Sequence, residues 1–344
     1  MRLALTLSPG LKEDSRFHLV VLDWERQELI DQHEEQSDFF GSSHKGFAGA
    51  SLVGDRLFAV DEVHLYEFSL NPLRRVRKVS HRLLNDAHHV AVVGGRVLVA
   101  NSGLDTIEEF NLDFEHVQTH FLLRKNGRSA GQFLSRVRRT ILKGVRRRLG
   151  WNKLYRHLPN RQRLANLNKF VNPARYHQPG LDVRRCDFRP HYLHPNHVWG
   201  AGPTPLVTLC NLGMIVELDS GRVVTRNLGA PHDGLASGRK FFVTDCATNE
   251  LVVFPYDPAT GELGPTPERV PISASLDEAF LRGVACDTER IFLGLTARRG
   301  RPQHATARIR ALELGTWRNL GEFTVPQQLG HSVYSLVDVT QQYS

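Results

Sequence analysis

The chain has 344 residues but only four cysteines, two methionines and no long apolar run. No stretch approaches the roughly 18 uncharged residues of a membrane-spanning helix. The first residues, MRLALTLSPGLKEDSRF, carry one early Arg and an apolar stretch that breaks at Ser8-Pro9-Gly10. A secretory leader needs about 7–15 apolar residues, so a cytoplasmic location is expected. Cys186, Cys210, Cys246 and Cys286 form no C-x-x-C pair, which excludes the common zinc and dithiol motifs. In a reducing compartment they read as buried thiols. A Walker motif, a G-x-G-x-x-G after a strand and a G-x-S-x-G elbow are missing too. The activities those motifs carry are missing with them.

Hydrophobic residues make up 41% and charged residues 23%, which excludes a disordered chain, a collagen or a coiled coil. The net charge of +8 is unevenly spread. Between Arg124 and Arg189 stand 19 Lys/Arg and two acids, so that segment is +17 and the remainder −9. An asymmetry of this size points to an anionic partner: a membrane surface, a nucleic acid or an acidic glycan. A solvated basic excursion is the plainer alternative. Within the segment Phe133, Val137, Ile141, Val145 and Leu149 recur every four residues. Arg136, Arg138, Arg139, Lys143, Arg146, Arg147 and Arg148 surround them, and Trp151 and Tyr155 follow. Apolar residues on one face, basic residues on the other and an aromatic end suit an interfacial membrane helix over 132–155. A helix packed on its own domain has the same pattern. Nucleic acid is disfavoured, because few aromatics are interleaved and no nucleic-acid motif is present.

Self-similarity organises the rest. FAGASLVGDRLFAVDEVHLYEFSL (47–70) resembles HHVAVVGGRVLVANSGLDTIEEFNL (88–112). HVWGAGPTPLVTLCNLGMIVELDSG (197–221), HDGLASGRKFFVTDCATNELVVFPYD (232–257) and the run from 282 to 315 repeat the pattern. Each reads as an alternating strand, a turn, and a β-branched or aromatic strand. Gly54-Asp55, Gly94-Gly95 and Asp287-Thr288 supply three of the turns. The second strand tends to end in a small polar residue: Asp61, Asn101, Asn211, Asp245. Their spacing predicts a repeat of about 35–45 residues with four strands each, the period of a β-propeller. Five units are complete. HSVYSLVDV (331–339) reads as an innermost strand without successors. LALTLS (3–8), HLVVLDWE (18–25) and ELIDQ (28–32) read as outer strands without an innermost one. The expectation is an all-β, six-bladed propeller forming one domain over 1–344. Its closing blade is mixed from both termini, and a basic, partly helical insertion over 124–190 lies between blades.

Aligned repeats place His88, His232, Arg282 and His331 just before or at the start of innermost strands, at one mouth of the channel. His197 joins them if the turn around Pro203 carries one extra residue. Several imidazoles around an axis suit a divalent transition metal, since Mg and Ca prefer oxygen ligands. His88, His197, His232 and His331 are therefore the candidate metal ligands. Three with a water would suit Zn, and four without a carboxylate Fe(II). Simple backbone capping by each His is the alternative. Asp233 could orient an imidazole, Arg282 could clamp a substrate anion, and Tyr334 could serve as an acid or base.

The segments PHDGLASGRKFFVTDCATNELVVF and LHPNHVWGAGPTPLVTLCNLGMIVELD resemble the repeats of bacterial arylsulfotransferase-type propellers at His232, Asp233, His194 or His197, and Asn196. That resemblance implies a channel histidine that takes a sulfuryl group. LRGVACDTERIFLGLTARRG and the HPNHV repeat resemble uncharacterised bacterial propeller families, which implies the fold and no activity. The site logic of three histidines is similar to that of peptidyl-hydroxyglycine amidating lyases. Three functions stay open: a metal-dependent lyase, hydrolase or oxygenase acting on a small, anionic or glycan substrate near a membrane; a sulfotransferase-like histidine enzyme; and a binding platform.

Overall fold

The computed structural model describes residues 1–9, 16–37, 46–122, 182–185, 193–201, 204–272, 279–297 and 306–344. Three strands come first: β1 (Arg2–Ser8), β2 (Arg16–Asp23) and β3 (Glu28–Gln36). Four follow as one sheet, β4 (Ala50–Val53), β5 (Arg56–Val60), β6 (His64–Ser69) and β7 (Arg74–Ser80). The next sheet holds β8 (Ala87–Val93), β9 (Arg96–Asn101), β10 (Thr106–Phe110) and β11 (His116–Phe121). Then come β12 (Pro195–Ala201), β13 (Thr204–Leu209), β14 (Met214–Glu217) and β15 (Val223–Thr225). The fifth group is β16 (Pro231–Ser237), β17 (Lys240–Asp245) and β18 (Glu250–Asp257), whose outer partner is split into β19 (Glu262–Leu263) and β20 (Glu268–Pro271). The last complete sheet is β21 (Ala279–Cys286), β22 (Arg290–Ala297), β23 (Arg308–Glu313) and β24 (Asn319–Thr324). Finally β25 (Ser332–Asp338) pairs antiparallel with β1, from Leu3↔Asp338 to Ser8↔Ser332. The result is the expected six-bladed propeller, closed by strands from both termini.

Residue type explains the layering. Second and third strands are covered on both faces by neighbouring blades, so they are nearly continuous apolar runs: RLFAV in β5, RVLVAN in β9, RIFLGLTA in β22. Fourth strands face solvent and are polar, as in RRVRKVS of β7. Aromatic rings fill the seams between blades. Phe47 packs edge-on against Phe17 at 4.6 Å and Tyr66 at 5.1 Å. Trp199 stacks on Phe241 at 4.9 Å, and Trp24 meets Phe292 at 5.1 Å.

Hydroxyls add a second set of seams. Thr6 Oγ1 donates to Ala48 O at 2.8 Å, and Thr208 Oγ1 donates to His232 O at 3.3 Å. Ser102 donates to Pro195 O, and Thr296 to Val333 O. Each bond runs from the second strand of one blade, or the turn just after it, to the innermost segment of the next. Innermost strands β4, β8, β12, β16, β21 and β25 are neighbours in that order, and β25 returns to β4.

Two turns match expectation: Val53 pairs with Arg56 around Gly54-Asp55, and Val93 with Arg96 around Gly94-Gly95. The third lies one residue later than expected. Asp287 N–H donates to Arg290 O, so the tight turn is Thr288-Glu289, and Asp287 Oδ1 accepts both Glu289 and Arg290 N–H groups. The Asp side chain favours this placement by capping the turn. The proposed helix over 132–155 and Cys186 lie outside the described residues. The end of the 124–190 segment is partly described. Val183 is buried, donates N–H to Arg82 O at 2.9 Å, and accepts Asn85 Nδ2 at 2.6 Å.

Leu5 and Leu336 face each other in the closing blade and are both buried. Leu336→Ala should lower unfolding stability by about 2–5 kcal/mol in urea titration. An unchanged midpoint would mean that the closing strand contributes little.

Candidate functional site

Each innermost strand contains one residue more than its partner. In β8, Ala87 pairs with Asn101 and His89 with Ala100, leaving His88 extra. Between Pro195 and Val198 of β12, Asn196 and His197 together oppose Thr208. Between Pro231 and Gly234 of β16, His232 and Asp233 oppose Thr244. In β21 Gly283 is extra after Arg282, and in β25 Tyr334 is extra between Val333 and Ser335. Val60 of β5 accepts Ala48 N–H at 2.8 Å and donates to Gly49 O at 3.0 Å, the same two-against-one arrangement. A bulge re-aims side chains at a chosen point of a strand. Six bulges at one level put two rings of residues around the axis. The first ring is Ala48, His88, Asn196, His232, Arg282 and Tyr334. The second is Gly49, His89, His197, Asp233, Gly283 and Ser335.

The second ring is a nearly continuous belt. His89 Nε2 donates to Ala50 O at 3.2 Å, and its ring lies on His197 with centroids 3.5 Å apart. His197 Nδ1 is 3.5 Å from Asp233 Oδ1. Asp233 Oδ2 accepts Gly283 N–H at 2.7 Å and Thr244 Oγ1–H at 3.0 Å. Ser335 Oγ donates to Ala50 O at 3.4 Å. Glycine is required at two places. A Cβ on Gly49 would stand 2.5 Å from His88 O and His89 Cδ2. Gly283 has φ +71, where a side chain is strained.

The first ring carries His88, His232 and Arg282. His232 Nδ1 lies 3.0 Å from Asp233 Oδ2. Burial would raise the Asp233 pKa, but the adjacent His232 and His197 hold it well below the ordinary carboxylate range. An ionised carboxylate only accepts, so Nδ1 carries the ring proton. Burial lowers the His232 pKa, Asp233 opposes that, and Arg282 adds to it, so His232 is neutral near pH 7. Its lone pair therefore sits on Nε2, which is buried and has no hydrogen-bond partner. The His88 ring is 6.5 Å from that of His232 and 4.8 Å from that of His194. His88 Nδ1 donates to Asp86 O at 2.8 Å.

Arg282 is the one member of the two rings that is not fully buried. Burial pulls its pKa down, but Tyr334, Cys246 and Asp233 outweigh that and hold it up. Its guanidinium lies 4.5 Å from the Tyr334 ring centroid, and its Nε is sealed and unpartnered. Among the described residues no carboxylate comes within 4 Å of it to form an ion pair. Cys210 and Cys246 flank it in electrostatic terms. Burial pushes the Cys210 thiol up to about 11 and Cys246 further, despite Arg282, so neither is a thiolate at neutral pH.

The structure thus brings His88, His197, His232, Asp233, Arg282 and Tyr334 to one level of the channel. His197 falls in the second ring, behind Asn196. His331 stands apart from the bulges: it precedes β25, is half-buried, and donates its N–H to Ser8 O at 3.0 Å. The position matching His88 and His232 on that strand is Tyr334, because the bulge lies three residues further on. Among the described residues no group of three or more His, Cys, Asp or Glu is arranged to hold a metal ion. His89 was not among the expected site residues, while His194 and Asn196 were named only as positions matching the arylsulfotransferase-type repeats. The doublet His88-His89 was the available signal, since a bulge turns both members of a doublet toward the axis.

No family model matches the chain, and no curated protein does. Solved structures do. The chain is similar to one in the crystal structure of a nidogen/laminin complex, with 14% identity, 98% of each chain covered and TM-score 0.56. It is similar to a protein of unknown function from Bacteroides caccae, with 8% identity, 98% and 97% covered and TM-score 0.58. A β-propeller domain, Cps50 (Swd1) of Myceliophteria thermophila, aligns at 11% identity over 94% and 89% with TM-score 0.47. At these identities the likeness is one of fold.

Thr244 Oγ1 accepts Asp233 N–H at 3.0 Å and donates to its carboxylate. Thr244→Val keeps the shape and removes both bonds. It should cost about 1–3 kcal/mol by denaturant unfolding. A neutral result would show that the bulge is held by the ladder alone.

Proposed function

We propose that the protein binds a small anion at the channel mouth and that His232 acts on it as a general base. The observation that carries this reading is the pairing of two unsatisfied groups on adjacent blades. Arg282 is a half-buried cation without a carboxylate partner, its Nε sealed and unpartnered, and His232 offers a sealed lone pair at Nε2. Buried charges are normally paired, so a cation left this way favours an anionic ligand. A proton leaving the ligand goes to His232 Nε2, and Asp233 stabilises the imidazolium through Nδ1–H. Tyr334 acts as a positioning residue, holding the guanidinium against its ring.

Isothermal titration with carboxylate and sulfate salts, paired with metal analysis of the purified protein, tests the reading. Anion binding in metal-free protein, weakened at least tenfold in Arg282→Ala, is the expected result. One equivalent of zinc or iron that is lost in His232→Ala would replace it with the metal-dependent enzyme. Absence of both would leave a binding platform.

The basic segment supports a further part of this proposal, attachment to an anionic membrane surface. It rests on the +17 charge and the four-residue apolar spacing. Vesicles containing phosphatidylserine should pellet the full chain at low salt and fail to pellet a chain lacking 132–155. Equal pelleting of the two would end that part.

A further inference from the structure

We infer that the anion is a polyhydroxylated carboxylate of the sugar-acid class, with its carboxylate on the edge of Arg282 and its hydroxyls on His232 and Asn196. This rests on the anion-binding reading above and adds the ligand's chemical class.

The unfilled atoms of the first ring define what a ligand must supply. Among its hydrogen-bonding atoms, three are buried without a partner: Arg282 Nε, His232 Nε2 and Asn196 Oδ1. Arg282 Nε–H is a donor. With one Nη–H it forms the side edge of the guanidinium, the fork that takes a planar carboxylate through two parallel bonds. Tyr334, whose ring centroid lies 4.5 Å from the guanidinium, also hydrogen-bonds Arg282 and leaves Nε without a partner. The other two atoms are acceptors. His232 Nε2 cannot donate, because Asp233 holds the ring proton on Nδ1 at 3.0 Å. Asn196 Oδ1 accepts, and its amide nitrogen is directed to the Cys210 thiol.

A complementary ligand therefore accepts at one end and donates twice at the other. Sulfate satisfies Arg282 and leaves both acceptors unfilled, and the hydrogen phosphate dianion, with one O–H, fills only one of them. A simple carboxylate does the same as sulfate. A neutral sugar fills the acceptors and leaves the cation without a counter-charge and its Nε–H without an anionic acceptor. Each unfilled buried group costs binding, and sites built to hydrogen-bond a hydroxyl discriminate strongly against analogues that lack it. A sugar acid fills all three. The three atoms belong to the innermost strands of adjacent blades, β12, β16 and β21.

The test is a series of ligands on the full chain by isothermal titration: D-glucuronate, D-galacturonate and D-gluconate against cyclohexanecarboxylate, D-glucose and sodium sulfate. At least one sugar acid should bind ten or more times tighter than cyclohexanecarboxylate, glucose and sulfate. Asn196→Leu should erase that preference while cyclohexanecarboxylate binding stays. Cyclohexanecarboxylate or sulfate binding as tightly as every sugar acid would overturn the class while leaving the anion site intact. Failure of all the anions to bind would overturn both readings. The wild-type series decides the question even if a variant fails to fold.

Discussion

An antiparallel ladder that must absorb one extra residue has to turn a pair of side chains away from its regular alternation. Here that happens once in every innermost strand, at the same level. The rest of the molecule depends on it. Opposite the bulges stand Thr6, Thr208 and Thr244 in three of the six blades, and their hydroxyls take up backbone groups that the irregular ladder leaves over. In the other three, Val60, Ala100 and Gly294 leave room instead. The outcome is two rings of paired residues. One ring is tied together as a nearly continuous belt, and the other carries an imidazole and a guanidinium.

The belt shows how a buried carboxylate can be tolerated. Asp233 is almost sealed from water, and its ionised form survives because Thr244, Gly283 N–H and His232 all donate to it. The same bonds decide what His232 can do. By taking the Nδ1 proton into a fixed hydrogen bond, Asp233 leaves Nε2 as an acceptor. The side chain that binds the second ring together thus sets the chemistry of the first. Ring closure by β25 and β1 matters for the same reason, since it sets the angular position of Tyr334 beside Arg282.

Much of this was legible in the chain. Blade number, the mixed closing blade and the common place of His88, His232 and Arg282 follow from repeat spacing and strand alternation. What spacing cannot show is a bulge, because one extra residue in a strand looks like one residue more in a turn. That is why His197 was placed in the first ring rather than the second, and why His331 was aligned with residues that Tyr334 in fact matches. Partners supplied across blades were also out of reach. The contact between Asp233 and His197 joins residues of different repeats, and the stacking of His89 on His197 does the same. The metal expectation came from counting imidazoles in one column, and the structure divides them between two rings and a strand start.

Asp233 fixes His232 with its proton on Nδ1 and its lone pair on Nε2. Long-range ¹H–¹⁵N NMR of the full chain with ¹⁵N-labelled histidine, assigned with His232→Gln, reads this directly. Near neutral pH the account predicts a neutral ring with a protonated Nδ1 and a pyridine-like Nε2, which changes to the other tautomer or to a mixture in Asp233→Asn. A proton on Nε2 in the wild-type protein, or a nitrogen shift pattern unaffected by Asp233→Asn, would contradict it.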